Sequence, residues 1–422
     1  MKTLIADAFD PAGREELAAA GCEIVFDPRL DGEALRSALT AHQPAILVVR
    51  GTRVTAEMLD AAPLALVVRA GAGVNTIDVA AASARGIHVA NCPDKNAIAV
   101  AELTLGLLLA LDRRIPDNVA DLRAGVWNKE EYSRARGLAG RTLGVLGLGA
   151  IGCEVVRRAH AFALRIEVWS RRFDGMDRWL TLAEARQLEL DAVHQQAPIR
   201  LRPRPAVLAA TCDALTVHLA LTPDTRGLIG TEVLRALRHG TYFLNTSRAE
   251  VVDAGALERA VREQGLRVGL DVFAAEPAGG SGRFEDPIVR LPMVYGTHHI
   301  GASTDQAQEA VGAEAVRVVR SFVTSGRVPN CVNFARRSPA THRLVVRHRS
   351  RPGVLAHVFD RLRAVGINVQ ETENLIFEGA EAALARIHLD AEPDAATLDA
   401  IRDGHGDILD VRLTAIGQRG NP

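Results

Sequence analysis

The stretch TLGVLGLGAIG, residues 142–152, decides the fold. TLGVL is a short apolar run of the kind that forms a buried strand, and the residues from about 150 to 162 have helical spacing. Between them lies a glycine loop with its required context, a strand before and a helix after. Gly147 permits the tight turn. Gly149 lets backbone amides approach a pyrophosphate, and Gly152 lets the helix pack against the strand. Ala150 and Ile151 complete the same cofactor-binding turn, where the helix N-terminus favours an anion. A dinucleotide site of this type usually ends its next strand with an acid on the ribose hydroxyls. Here that place is Ser170, followed by Arg171 and Arg172. A carboxylate would repel a 2′-phosphate, whereas a guanidinium can fork onto one. The cofactor is therefore NAD(P), leaning to NADP; the alternative is NAD held by the serine hydroxyl, with both arginines in solvent.

Outward from this loop the same alternation repeats. TLIAD, EIVF, AILVV and LALVVR read as buried strands, with helices REELAAAG, GEALRSAL and AEMLDAA between them. This is α/β with parallel sheets. A long helix is expected from about Ala97 to Asp112. After the glycine loop come strands RIEVW, DALTVHL, TYFLNTS and RVGLDVF, then one helix over about 303–323. The stretch 174–206 reads as a surface insertion whose arginines are solvated. ARRSPAT, 335–341, reads as a linker. Beyond it the order is β-α-β-β-α-β, a ferredoxin-like unit. At 422 residues the chain is long enough for two or three domains of roughly 100–200 residues each.

Composition narrows the class. The chain is 48% hydrophobic and 24% charged, with a formal net charge of −1, so no global field draws nucleic acid or an anionic membrane. Asp7 and Asp10 interrupt the N-terminus, which lacks the apolar core of a signal peptide. The run Leu103–Leu111 is too short to span a bilayer. Five single cysteines, at 22, 92, 153, 212 and 331, contain no CxxC pair. They read as reduced thiols of a cytoplasmic protein, with no metal site.

Three later motifs each follow an apolar strand. TYFLNTSRAE carries Arg248, VGLDVFAAEP carries Asp271 and Glu276, and VYGTHHIGAST carries His298 and His299. Ligands of open α/β sheets bind at the carboxyl ends of strands. An arginine there can grip a carboxylate, and a histidine can deliver a proton while a glutamate orients its ring.

RAGAGVNTID, NCPDKNAIAVAEL, LGLGAIG, HLALTPDTRGLIG, NTSRAEVVD, GLDVFAAEP and HHIGAST, in this order, resemble the D-isomer-specific 2-hydroxyacid dehydrogenases, and among them the phosphoglycerate dehydrogenases that carry an ACT domain. The resemblance implies two Rossmann/flavodoxin-like, doubly wound parallel-sheet domains plus a C-terminal ferredoxin-like (ACT) α+β domain. The substrate domain would comprise 1–98 and 302–334, the NAD(P) domain 99–301, and the ACT domain 341–422. It implies Arg248 on the substrate carboxylate, His299 as acid/base and Glu276 as its support. Gly71, Ala72 and Gly73 would offer amides to the same carboxylate. Thr246 and Asp271 would lie at the cofactor, with Asp271 near its nicotinamide. Departures from the family pattern are Ala249 for Gly, His298 for Pro, and Asn75-Thr76 for Asp-Asn.

A phosphorylated substrate needs cations, and Arg50, Arg53 and Lys95 are the candidates. The implied reaction is oxidation of 3-phosphoglycerate in serine synthesis. The enzyme alternative is a glyoxylate or hydroxypyruvate reductase, and the non-enzyme alternative is a nucleotide-sensing corepressor or scaffold. By resemblance, His348, Arg351 and Asn368 would hold an amino-acid effector, L-serine, at an ACT–ACT interface, with Ser350 departing from the usual Asn. The alternative is a module that only dimerises. The expected assembly is a homodimer or homotetramer.

Overall fold

The computed structural model describes residues 1–277, 281–335 and 338–416. The chain divides into two compact units, Met1–Asn333 and Phe334–Pro422.

The first unit holds two sheets. One contains β1 (Lys2–Ile5), β2 (Glu23–Phe26), β3 (Ile46–Val49), β4 (Leu66–Arg69) and β5 (His88–Asn91), all parallel, in the order β2-β1-β3-β4-β5. Its strands are apolar at successive positions because both faces are covered. Leu4, Leu47, Val67 and Val89 pack on Leu35 and Leu39 of the helix Gly32–His42. Ile5, Val48, Val68 and Ala90 pack on Leu17 and on Ala315, Val316 and Val319 of the helix Asp305–Ser325. That long helix starts after Thr304, whose hydroxyl accepts from the Ala307 amide at 3.2 Å.

The second sheet contains β6 (Thr142–Leu146), β7 (Arg165–Trp169), β8 (Arg178–Trp179), β9 (Arg200–Leu201), β10 (Ala214–Val217), β11 (Tyr242–Asn245), β12 (Arg267–Leu270) and β13 (Val294–Gly296). Their order is β13-β12-β11-β10-β6-β7-β9-β8, parallel except for β8 against β9. The helices Ala97–Arg113 and Ala150–Ala161 cover one face, and Ala254–Gln264 helps cover the other. The stretch 174–206 departs from the expected surface insertion. It supplies β8 and β9, and Leu180, Leu190, Ile199 and Leu201 enter the core. Its elements are too short to show a period in sequence. Two arginines of its RLRPRP run are paired: Arg202 forks onto Glu167 with two bonds of 2.7 Å, and Arg200 meets Asp177 at 2.7 Å, while Arg204 is exposed.

The second unit is a four-stranded antiparallel sheet of β14 (His342–Arg349), β15 (Val369–Ile376), β16 (Ala382–Leu389) and β17 (Ile408–Ala415), ordered β15-β16-β14-β17. Its core joins Leu344, Val346, Ala385 and Ile387 to Val358 and Leu362 of the helix Val354–Ala364 and to Ile401 of Ala395–Asp403. The element order is the β-α-β-β-α-β read from sequence.

One buried acid ties together the segments that leave and re-enter the first sheet. Glu314, 8% exposed, accepts from Arg317 at 2.6 Å and from Asn330 at 2.7 Å, and lies 3.6 Å from Lys95. The Arg317 bond leads in holding its carboxyl down to about 2, against the cost of burial. A carboxyl lowered on folding stabilises the fold above its unfolded value, and that contribution fades as pH falls toward the folded one. Glu314→Gln should therefore cost about 2 kcal/mol near neutrality. Thermal melts from pH 7 to 3 should show the gap between variant and wild type closing below about pH 4.5.

Candidate active site

Both parallel sheets have a switch point where the strand order reverses, and ligand crevices open at the carboxyl edge of such points. In the second sheet it lies between β6 and β10. A side chain at Gly147, φ +103°, would place its Cβ 2.5 Å from the His218 carbonyl oxygen, and one at Gly152 would come within 2.0 Å of the Gly147 oxygen. Only glycine fits either place. Gly149 faces open space. The amides of Ala150, Ile151 and Gly152 donate to nothing among the described residues, since the first bond of that helix runs from Cys153 to Gly149. The loop therefore offers unpaired N–H groups, positive helix-end charge and room, which fit a dinucleotide pyrophosphate.

At the end of β7, Ser170 precedes a single turn of 3-10 helix, Arg171–Phe173. Arg171 is exposed, 3.8 Å from the exposed Asp224. Arg172 bonds Gln187 and stacks on Phe173, 5.3 Å from its ring. Thr246, at the end of β11, is buried and shares a 2.9 Å hydroxyl contact with Thr104. His218 sits beside this crevice, buried, and burial pushes its pKa down to about 3. It is a neutral ring whose Nε2 meets the Thr216 hydroxyl at 2.8 Å.

In the first sheet the switch point lies between β1 and β3. The loops after them open onto a cleft of about 1380 Å³, lined by Phe9, Arg50, Arg69, Gly71, Glu276, His298 and His299 among others. The acids Asp10, Asp305 and Glu309 line it too. His299 Nδ1 lies 2.7 Å from Glu276 Oε2, and Glu276 Oε1 accepts from the Phe273 amide at 2.8 Å. Burial alone would raise the Glu276 carboxyl, but the bonds from His299 and Phe273 outweigh it and hold it below the usual range. An ionised Glu276 keeps the proton on Nδ1 and leaves Nε2 as the other working nitrogen. His298 makes no hydrogen bond among the described residues.

His299 stands on a turn held by Asp271. That carboxylate is 1% exposed and accepts from Thr297 Oγ1 at 2.6 Å and from the amides of Ile300 and Gly301, each at 2.8 Å. His299 itself has φ +52°, a left-handed conformation that costs a non-glycine residue about 1 kcal/mol. The bonds around it keep it there.

Arg248 follows a turn locked by Asn245, which accepts from Ser247 and donates to the Arg248 carbonyl at 3.0 Å. Its guanidinium does not line the large cleft but presses on the glycine loop after β4. A Cβ on Gly73 would lie 2.5 Å from Arg248 Nη2. The structure adds a residue that the sequence reading missed, Arg69, at the end of β4. A Cβ on Gly71 would lie 1.6 Å from its Nη1. Its Nε is buried without a partner. Burial first, then the charges of Arg248 and Arg50, pull its pKa below the ordinary value. Its signal was the Arg directly before AGAG, on a strand already recognised.

Not every candidate joins the cleft. Arg50 does, with Nη1 donating to Gln308 at 2.8 Å. Arg53 is exposed and lines no part of it, and Lys95 turns to Glu314. In the second unit, His348 is buried, with ring nitrogens 2.8 Å from the Arg349 carbonyl and 3.2 Å from Asn374 Oδ1. Arg351 donates to Asp407 at 3.2 Å, and the backbone N–H of Asn368 donates to the Asp390 carboxylate at 3.0 Å. Among the described residues no three or more His, Cys, Asp or Glu side chains could hold a metal ion, and no helix is long and apolar enough to cross a membrane.

Residues 105–301 match the NAD binding domain of the D-isomer specific 2-hydroxyacid dehydrogenases. The D-3-phosphoglycerate dehydrogenase of Methanocaldococcus jannaschii is 38% identical over 295 residues, 68% of this chain and 52% of that protein. The one from Mycobacterium leprae is 39% identical over 303 residues, 71% of this chain and 53% of that protein. The chain thus spans about half the length of these curated relatives. Among solved structures, an NADPH-dependent glyoxylate/hydroxypyruvate reductase from Sinorhizobium meliloti, in complex with NADP and malonate, aligns with a TM-score of 0.63 and 26% identity, over 80% of this chain and 99% of that one. Fold, ordered motifs and these matches agree: the chain belongs to the D-isomer specific 2-hydroxyacid dehydrogenase family.

Proposed function

We propose that this chain is an NAD(P)-dependent dehydrogenase that interconverts a D-2-hydroxy acid and its 2-oxo acid, with 3-phosphoglycerate and 3-phosphohydroxypyruvate as the pair. The observation that carries this is the Glu276–His299 pair together with Arg50, Arg69 and Arg248, the charges of Arg50 and Arg248 both acting on Arg69. A bound nicotinamide supplies or accepts the hydride. Arg248 and the amides of Gly71–Gly73 hold the substrate carboxylate and orient the carbon that reacts. His299 gives its Nε2 proton to the carbonyl oxygen during reduction and takes it back during oxidation, while Glu276 stabilises the charged ring. Arg50 and Arg69 take the distal phosphate. We place the substrate domain in 1–98 and 302–334 and the cofactor domain in 99–301.

A second reading, a reductase of glyoxylate or hydroxypyruvate, draws support from the Sinorhizobium relative and from the absence of an acid at Ser170. A corepressor role has less support, since it makes no use of the Glu276–His299 pair. Reduction of phosphohydroxypyruvate, hydroxypyruvate and glyoxylate should be compared by initial rates in wild type and Arg69→Met. The expected outcome is a kcat/KM advantage of at least tenfold for the phosphorylated acid, lost in the variant. A preference for glyoxylate in wild type would select the reductase.

For the cofactor we propose a preference for NADP. Ser170 does not repel a 2′-phosphate, and Arg171 has only a long, exposed ion pair to exchange for one. Arg171→Ala should weaken NADPH binding about tenfold and NADH less than twofold. Equal losses would mean that Arg171 does not read the phosphate.

We also infer a homodimer or homotetramer. The helix Ile115–Arg123 has no buried residue, and Leu122, Val126 and Trp127, the last 81% exposed, extend its apolar surface. Such a patch marks an interface. The C-terminal unit, 341–422, is read as an ACT domain that takes L-serine through His348, Arg351 and Asn368. Serine up to millimolar concentration should inhibit; flat dose–response curves together with no binding by calorimetry would leave the unit only a dimerising role.

A further inference from the structure

We propose that Asp7 is a positioning residue that determines specificity through Arg50, a role that rests on reading Arg50 as a contact of the substrate's distal anionic group. Asp7 lies just after β1, and Arg50-Gly51-Thr52 lies just after β3. These are the two loops of the first sheet's switch point, the place where such a sheet receives a ligand. One oxygen of Asp7, Oδ2, accepts from three successive backbone amides, Arg50 at 2.5 Å, Gly51 at 3.2 Å and Thr52 at 3.2 Å. Consecutive amides gathered on one anion form a nest. The loop is thereby clamped to β1 at its backbone.

Arg50 is then fixed at both ends. Its amide is on Asp7 and its guanidinium is on Gln308 of the long helix Asp305–Ser325, while both Arg50 and Gln308 line the cleft. Charge makes the choice of residue notable. An acid next to a site that collects anions opposes binding unless its charge is spent elsewhere. The three amides stabilise that charge, which also supports the cationic form of Arg69, so Asp7 sets the position of one cation and favours another. The other oxygen, Oδ1, has no hydrogen-bond partner among the described residues, so asparagine could keep the clamp by turning its amide nitrogen there.

The test is a double-mutant cycle on the purified full chain, run with whichever acid the wild type reduces best. Asp7→Ala should raise KM for that acid about tenfold, change kcat less than twofold and leave the KM for the cofactor unchanged. Asp7→Asn should recover a KM within threefold of wild type. In an Arg50→Ala background, Asp7→Ala should add less than twofold, the remainder acting through Arg69. If Asp7→Ala does not fold, Asp7→Glu takes its place in the cycle, because a longer acid shifts the clamped loop while keeping the charge. The proposal is overturned if the Asp7 variant leaves KM unchanged, raises the cofactor KM in parallel, or multiplies the Arg50→Ala defect by its full factor. A wild type that prefers glyoxylate overturns the phosphate reading instead, and the cycle with glyoxylate still decides whether Asp7 acts through Arg50.

Discussion

The buried carboxylate of Asp271 holds the turn on which the rest of the site stands. Its two oxygens take one hydroxyl and two amides from Thr297, Ile300 and Gly301. Those bonds keep His299 in a conformation that its backbone does not favour, and in that conformation its ring meets Glu276. The strain is local and small, and the surrounding bonds overdetermine it. The geometry of the Glu276–His299 pair is thus set by a third residue, acting through this turn. Asp271 can also lie near a nicotinamide, as the family resemblance implies, but the hydrogen-bond partners of its carboxylate are all in this turn.

The same division of labour recurs across the first unit. Asn245 locks the turn before Arg248, Asp7 locks the loop of Arg50, and Glu314 locks the segments between the sheets. In the first two cases a short polar side chain at or just after a strand end pins the backbone of a turn or loop that carries an arginine, whereas Glu314, inside a helix, pins side chains from three segments. Parallel sheets make this economical, because every strand ends on the same side and every loop there is within reach of its neighbours.

The sheets were legible because their strands are buried on both faces and so appear as uninterrupted apolar runs. The glycine loop was legible because each glycine answers a separate steric demand, and the contacts at Gly147 and Gly152 match those demands. What escaped the sequence had one of two causes. Strand β5 runs for four residues and the alanine-rich helix Val79–Ala84 for six, and the elements inside 174–206 run for two to six residues, so none shows a period. Charged residues were harder still. Arg50, Arg53 and Lys95 look alike in sequence, yet one lines the cleft, one faces solvent, and one is claimed by Glu314. Arg69 was overlooked because it reads as the last residue of a buried strand. Only three-dimensional proximity separates a cation facing a ligand from one already neutralised.

The three neighbouring guanidiniums have a consequence for the protein as a material. Arg69 has no acceptor among the described residues and sits where Arg50 and Arg248 oppose its charge. Like charges held together in a partly desolvated space raise the energy of the folded chain. Any small oxyanion that enters relieves that repulsion, and a ligand that binds only the folded form shifts unfolding by mass action. Resistance to heat is therefore coupled to the buffer. Sulfate or inorganic phosphate would firm the fold through the same cations that we propose to hold the substrate, and a solution stripped of such anions would leave it softer.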